Sequence, residues 1–289
     1  MLITVFTPTF NRAHLLQRLY ESLCKQSFHD LEWVVVDDGS TDNTEEIVKS
    51  RFDNQNFPIH YFRQENGGKH TAINRGVKEA KGELFLILDS DDSLPADSLK
   101  TIAEYFNQVR EDNSFGGVCG YMAHHDGTAI GHGCDKDVLD TNSIDLRYKH
   151  HVVGDMCEVF RTSVLREFPF PEIEGEKFCP EALVWNRIAT KYKLRVFKHV
   201  IYYRDYLDGG LTDKIVKIRM NSPIASMMTY AEITRYDIPL RQKIKAAVNY
   251  WRFRLCAHGG NKVGIVWYWY MLVLFGMLMH VNDRKNVKR

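Results

Sequence analysis

The sequence predicts an α/β fold, a doubly wound and mainly parallel sheet flanked by helices, with a helical extension at its C-terminal end. Three observations carry that reading. Four short apolar runs, at residues 2–6, 32–37, 59–63 and 84–88, occupy the first third of the chain. The second and fourth, Glu32 to Asp37 and Leu84 to Leu88, are apolar nearly throughout, as expected of strands covered on both faces by helices. Between the runs, Leu15, Leu16, Leu19 and Leu23 recur at helical spacing, as do Ile73, Val77 and Ala80, and strand–helix–strand repetition on this scale builds a doubly wound sheet.

Beyond residue 115 the pattern loosens. Gly116 to Ala123 reads as a further strand, His124-His125-Asp126-Gly127 as a hairpin turn, and residues 128–155 show little periodicity. A helix is expected at about 181–191, a strand at 195–203 and a glycine-bearing loop at Asp208-Gly209-Gly210, before a helical, basic stretch over 215–256. Residues 263–281 are uncharged apart from His280.

Bulk composition narrows the function. The chain has 289 residues, with 38 basic against 37 acidic side chains and a net charge of +1. No general affinity for polyanions follows, so nucleic acid is a poor candidate partner, and any phosphate must be bound locally. The six cysteines lie far apart without a C-x-x-C pair, which argues against a zinc site or disulfide framework and for reduced thiols in the cytoplasm. The first strand begins at once, with no basic region or cleavage site before it, so no secretory leader is expected.

Ligands of open α/β sheets bind beyond the carboxyl ends of the strands. Here the first strand leaves through Thr7-Pro8-Thr9-Phe10-Asn11-Arg12, the second through Asp37-Asp38-Gly39-Ser40 and the fourth through Asp89-Ser90-Asp91-Asp92. Asp, Ser and Gly also mark turns and caps, and Ser40 to Asp42 suit that plainer role. Three acid-rich exits together point to a site. Clustered carboxylates after buried strands need a counter-charge, and hard oxygen ligands suit magnesium or manganese sharing its shell with substrate phosphates.

These segments, with Asn66-Gly67-Gly68 and Asn74-Arg75-Gly76 between them, resemble in order, spacing and strand context the family 2 glycosyltransferases of the GT-A (Rossmann-like) fold. The resemblance covers roughly residues 1–110. It implies a GT-A catalytic domain over 1–214, divided into a nucleotide-sugar-binding half (1–110) and an acceptor and catalytic half (111–214), then a helical region over 215–289. It also implies transfer from a nucleotide-diphosphate sugar, with uridine diphosphate the favoured carrier. On this likeness Thr7, Pro8, Thr9 and Asn11 border the nucleotide, Asp38 accepts a hydrogen bond from the uracil ring, and Asp89 lies by the ribose. Asp91 holds Mn2+ or Mg2+, and Lys69 meets the base or diphosphate. Gly67 and Gly68 either let backbone approach the ligand or form a plain turn.

In the second half, Glu181-Ala182-Leu183-Val184-Trp185-Asn186-Arg187 resembles the family segment carrying the catalytic base, with Glu181 in place of an aspartate and Pro180 in place of the preceding glutamate. Glu181 would then take the acceptor proton, with Trp185 at the acceptor. The alternative is an ordinary helix start, Pro180 in the first turn and Glu181 favoured by the helix dipole. Arg204 and Lys214 flank a loop that in the family often closes over the donor diphosphate. His199 is a further candidate for metal or phosphate, although a lone histidine in a Val-Ile-Tyr-Tyr strand is more often structural. Asp155 either faces the acceptor or caps a turn. His124, His125 and His132 show no partner pattern.

The resemblance thus implies inverting transfer to a saccharide or lipid-linked saccharide, in cell-surface polysaccharide or glycolipid assembly. A nucleotidyltransferase and a catalytically idle nucleotide-sugar or lipid-carrier binding protein are the alternatives. For residues 263–281, with aromatic Trp267 to Tyr270 and basic flanks, three readings compete: a helix lying in the inner leaflet, a single span and a buried helix. Peripheral attachment to the cytoplasmic face of the cell membrane is preferred.

Overall fold

A computed structural model describes residues 2–52, 56–134, 136–205, 214–257 and 263–287. In order, the first half runs β1 (Ile3–Thr9), α1 (Leu16–Cys24), β2 (Leu31–Asp37), α2 (Thr44–Ser50), β3 (Ile59–Arg63), α3 (Lys69–Glu79), β4 (Leu84–Ile87) and α4 (Ser98–Asn107). Then come β5 (Phe115–Ala123), β6 (Val138–Thr141), α5 (Ser143–Tyr148), β7 (Met156–Arg161), α6 (Thr162–Glu167), α7 (Glu181–Ala189) and β8 (Lys193–Tyr203). The last part holds α8 (Ile215–Asn221), α9 (Pro223–Ile233), α10 (Leu240–Arg254), a 3-10 helix (Trp267–Leu272) and α11 (Val273–Val287). The loop expected at Asp208-Gly209-Gly210 lies outside the described residues.

The chain divides into two compact units, one of residues 1–169 and 187–205, the other of residues 170–186 and 206–289. The first contains a single sheet of order β3-β2-β1-β4-β7-β5-β8-β6. β1 runs parallel to β2 and β4, β2 to β3, and β5 to β8. β7 is antiparallel to β4 and β5, as β6 is to β8. The sheet is therefore mainly parallel, with an antiparallel insertion at its middle that the sequence reading missed. Residues 128–155, which look irregular, contain β6 and α5, and β7 follows directly.

Every residue of β2 is buried, which is why its sequence lacks alternation. Leu16, Leu19 and Leu23 of α1 cover one face around Trp33, whose ring lies 6.0 Å from that of Tyr20. On the other face α3 approaches β1 so closely that a Cβ on Gly76 would fall 2.3 Å from the Phe6 ring. The carboxylate near the start of β2, Glu32, is fully buried. It accepts hydrogen bonds from Thr4 Oγ1 and Lys81 N, each at 2.6 Å, at the strand ends remote from the acidic exits.

The second unit is built on α9 and α10, with Met227, Ala231, Ala247, Tyr250 and Phe253 in its core. Glu176 receives the amides of Ile224 at 2.6 Å and Ala225 at 2.9 Å, and so satisfies the open N-terminus of α9. The helix α11 crosses α10 at Gly276, where a Cβ would lie 2.3 Å from the Trp251 Cβ. Arg252 and Asp283 close that crossing through two hydrogen bonds, with side chains 15% and 8% exposed. Replacing Asp283 with Ala leaves the guanidinium buried without its partner. We expect a loss of about 3 kcal/mol, read from denaturant unfolding; an unchanged midpoint contradicts it.

Candidate active site

The strand order places a switch point between β1 and β4. From β1 the chain winds through β2 to β3 on one side, then returns to add β4 on the other, and such crevices at the carboxyl ends of strands are where ligands bind. The polar exit of β1 and the acidic exits of β2 and β4 share this edge. Asp38 N donates to Thr9 O at 2.9 Å, and Leu88 N to Phe6 O at 2.8 Å.

Asp38 is buried at the exit of β2. Its Oδ1 accepts from Gln64 Nε2 at 2.8 Å and from Gly67 N at 2.9 Å, and its Oδ2 from Gly68 N at 2.8 Å. The carboxylate therefore organises the turn that opens α3, where Gly68 has φ 94°, a left-handed value that favours glycine. A carboxylate has about four acceptor positions, which leaves room for one more donor. The turn delivers Lys69 to the start of α3, where its ammonium lies 2.7 Å from Asp89 Oδ1 and 2.8 Å from Oδ2.

The exit of β4 then continues through Asp91 and Asp92. Asp91 pairs with Arg12 at 2.7 Å, and Arg18 donates to the Asp91 carbonyl. Asp92 is buried and accepts from Tyr202 Oη at 2.7 Å, while Tyr202 Oη receives Asp89 N at 3.0 Å. Burial alone would push the Asp89 carboxyl up, but Lys69, Arg204 and Arg12 bring it below the ordinary range. Burial and the neighbouring Asp89 push Asp92 up to about 7. The counter-charge that the sequence demanded is thus supplied within the protein, by Lys69 on Asp89, Arg12 on Asp91 and, below about pH 7, a proton on Asp92. Among the described residues no group of three or more His, Cys, Asp or Glu forms a metal cage.

Other expected residues fall as follows. Thr7 Oγ1 accepts the Trp33 indole at 2.9 Å inside the sheet. Pro8 is partly exposed, and Thr9 Oγ1 is buried without a hydrogen-bond partner among the described residues, as expected of an atom left for a ligand or water. Asn11, at φ 53°, receives Thr41 N at 2.7 Å and donates its own amide to Ser40 Oγ at 2.8 Å, tying the exits of β1 and β2. Arg204 pairs with Asp155 at 3.0 Å; burial opposes its charge, but Asp92, Tyr202, Asp155 and Asp89 strengthen it. His199 lies elsewhere on β8, against Tyr105 of α4 with ring centroids 5.6 Å apart. In the second unit, Glu181 opens α7 and the Trp185 ring meets Phe170 edge-on at 5.6 Å. Lys214 is exposed at the start of α8.

Sequence reasoning assigned no role to Arg12, Arg18 or His125. Arg12 stands in the first exit, so its basic charge beside the two acidic exits was a usable signal. His125 left none. Its Nδ1 meets Asp205 at 2.6 Å and its Nε2 meets Ser93 Oγ at 2.9 Å, partners 80 and 32 positions away.

Basic side chains paired with carboxylates at the switch point of a mainly parallel sheet define an α/β protein whose ligand crevice lies at that edge. Residues 4–167 match the model described as Glycosyl transferase family 2, more than half of the chain, and the chain belongs to that family of glycosyltransferases. It is 29% identical over 216 residues to the GalNAc(5)-diNAcBac-PP-undecaprenol beta-1,3-glucosyltransferase of Campylobacter jejuni, covering 73% of this chain and 67% of that one. Glycosyltransferase GlyA of Streptococcus pneumoniae is 34% identical over 219 residues, covering 74% of this chain but 28% of its own. The fold is that of S. aureus TarS 1–349 in complex with UDP, at TM-score 0.61 and 21% identity over 88% of this chain and 71% of that one. The mannosyltransferase PcManGT of Pyrobaculum calidifontis, solved with GDP-Man and Mn2+, matches at TM-score 0.57 and 19% identity over 99% of this chain and 86% of its own.

The proton on Asp92 has a measurable consequence without metal. Between about pH 4 and 7 the unfolded chain carries Asp92 ionised while the folded one keeps it protonated, so its contribution to stability falls as pH rises, by at most about 1.4 kcal/mol per unit. In chelator, Asp92→Asn should flatten this fall and be the more stable protein at pH 8. Parallel unfolding curves for the two proteins from pH 4 to 8 contradict the assignment.

Proposed function

We propose that the chain transfers a hexosyl or N-acetylhexosaminyl group from a nucleotide-diphosphate sugar, with UDP as carrier, to an acceptor hydroxyl with inversion. The observation that carries this reading is the run of contacts at the switch point, from Asp38 through the Gly67-Gly68 turn to Lys69 and Asp89, with Arg12 on Asp91 beside it. It combines a carboxylate with spare acceptor capacity for a base N–H, ammonium and guanidinium groups for a diphosphate, and a partly exposed carboxylate for a cation. The first-named relative, whose acceptor by its name is an undecaprenol-diphosphate-linked saccharide, favours a saccharide or lipid-linked saccharide acceptor in cell-surface polysaccharide or glycolipid assembly. The six free thiols suit a cytoplasmic location.

In this mechanism Thr9, Pro8 and Asn11 line the nucleotide side, and Asp38 receives the base. Asp89 faces the ribose and releases Lys69 toward phosphate. Arg204 adds a second guanidinium-type partner for the diphosphate. Glu181, at the N-terminus of α7, takes the acceptor proton as the hydroxyl oxygen attacks the anomeric carbon opposite the diphosphate. Trp185 and Asp155 are assigned to the acceptor.

Asp91 fits a divalent cation that keeps waters and substrate phosphates as its other ligands, since it is a single hard-oxygen donor, 19% exposed, whose Arg12 partner is itself 33% exposed. A bound Mn2+ or Mg2+ would supply positive charge to the departing diphosphate. His199 is left out of this assignment because its ring is packed on Tyr105.

A panel of nucleotide sugars with manganese or magnesium, scored by nucleoside diphosphate release, tests the reaction. Glu181→Gln should keep donor affinity and lower turnover about 100- to 10,000-fold; unchanged turnover removes Glu181 from the mechanism. Asp91→Ala should abolish the metal dependence of donor binding in calorimetry, and undiminished metal-dependent binding refutes its role. Donor binding without turnover for any acceptor favours a binding protein instead.

A further inference from the structure

The apolar C-terminal segment has one side committed to its own unit. On α11, Gly276 and Asp283 are buried against α10, and His280 Nδ1 lies 3.2 Å from the Arg252 carbonyl. The opposite side of the helix faces outward: Leu274 is 67% exposed, Phe275 59% and Leu278 70%. At about 100° per residue, the exposed apolar positions from Met277 round to Met279 sweep roughly 200° of the helix. The preceding 3-10 helix adds Trp267 at 79% and Met271 at 76%. Side chains of this size rarely stand together in water.

A partner helix in a groove engages a narrower stripe at i, i+3, i+4 and i+7, whereas apolar exposure over half a circumference suits a fluid medium. Charge selects which one. Residues 215–289 carry 13 Lys and Arg against 3 Asp and Glu, a net of +10, so residues 1–214 carry 25 against 34, a net of −9. A second copy seated on this face would set +10 against +10. Arg284 and Lys285 are exposed directly after the apolar run, and Lys245 is exposed on α10.

We propose that the 3-10 helix and the outward side of α11 form a docking surface for an anionic lipid bilayer. The two apolar stretches, Trp267–Leu272 and residues 273–281, extend about 25 Å end to end by their rise per residue. Among the described residues no helix is long and apolar enough to cross a membrane. The segment lies in the interface, with Trp267, Tyr268 and Tyr270 at headgroup depth and the basic side chains on anionic headgroups. This surface is independent of the transfer reaction, so its test stands or falls separately.

The test is flotation of the full chain with phosphatidylcholine vesicles with and without 30 mol% phosphatidylglycerol. The expected result is flotation with the anionic vesicles, reduced at least tenfold in 1 M NaCl and at least tenfold without phosphatidylglycerol. The variant Leu274→Glu/Phe275→Glu/Leu278→Glu alters only outward side chains and should stay at the bottom of the gradient with an unchanged thermal midpoint. Arg284→Glu/Lys285→Glu, a second variant that leaves the apolar face intact, should float less. Failure of the unaltered chain to float with anionic vesicles overturns the proposal, as does equal flotation with both lipids at all salt concentrations. A concentration-dependent dimer in sedimentation equilibrium that the triple variant abolishes, in a chain that does not float, assigns the face to a second copy instead.

Discussion

The sheet edge at the switch point depends on the carboxylate of Asp38 accepting the amides of Gly67 and Gly68. Those amides belong to the open N-terminus of α3, where donors have no partner within the helix and the helix dipole favours negative charge. One buried side chain at the end of β2 therefore sets where α3 begins. Because Lys69 is the first residue of that helix, the same contact sets where its ammonium meets Asp89 across the sheet edge. A side chain at Gly67 would crowd Thr71, whose Oγ1 would lie 2.6 Å from the added Cβ. The exits of β2 and β4 are joined in this way although β1 lies between them.

That joining changes the electrostatics of the acid cluster. Three carboxylates within four residues at the end of a buried strand cannot all stay ionised alone. Two are met by cations and the third holds a proton below about pH 7, since burial and Asp89 raise Asp92 to about 7. The cluster is thus largely compensated before any ligand arrives, and on the proposed reading donor binding is an exchange of partners. Phosphate takes over Lys69 and Arg12, and the released carboxylates turn to ribose and cation. Such an exchange avoids exposing unpaired charge in a partly buried crevice, where its cost would be highest.

Much of the nucleotide half was legible because parallel strands covered on both faces are written as unbroken apolar runs, and β1, β2 and β4 each end in polar residues that no core strand tolerates. The family likeness of those exits extended this to a fold and an activity. β7 escaped because its apolar residues are interrupted by Glu158, half-buried next to Val159, and because an antiparallel strand inserted between β4 and β5 leaves no mark on the local spacing of either. β6 is a four-residue edge strand with an exposed first residue, too short for periodicity. The Arg12–Asp91 and His125–Asp205 pairs bring together residues about 80 positions apart, and single-sequence patterning carries no information on which distant charges meet. The apolar run of residues 263–281 was read as one segment, yet the structure divides it at Val273 into two helix types. Length alone allowed a span as one of three readings, and among the described residues no helix is long and apolar enough for it.

The near-zero net charge of the whole chain conceals a division of labour. Residues 1–214 carry a net −9, a field that repels a nucleotide diphosphate at long range, so on the proposed reading donor recognition comes from the few cations at the switch point, acting within a Debye length. The same negative field disfavours approach of that region to an anionic bilayer, while the last 75 residues, at net +10, favour it. On the proposed reading the basic last 75 residues hold the chain at the lipid, while the donor is drawn from the aqueous phase. A lipid-linked acceptor is then confined to a surface on which the enzyme is also held, and two-dimensional confinement raises its effective concentration without any further contact between enzyme and lipid carrier.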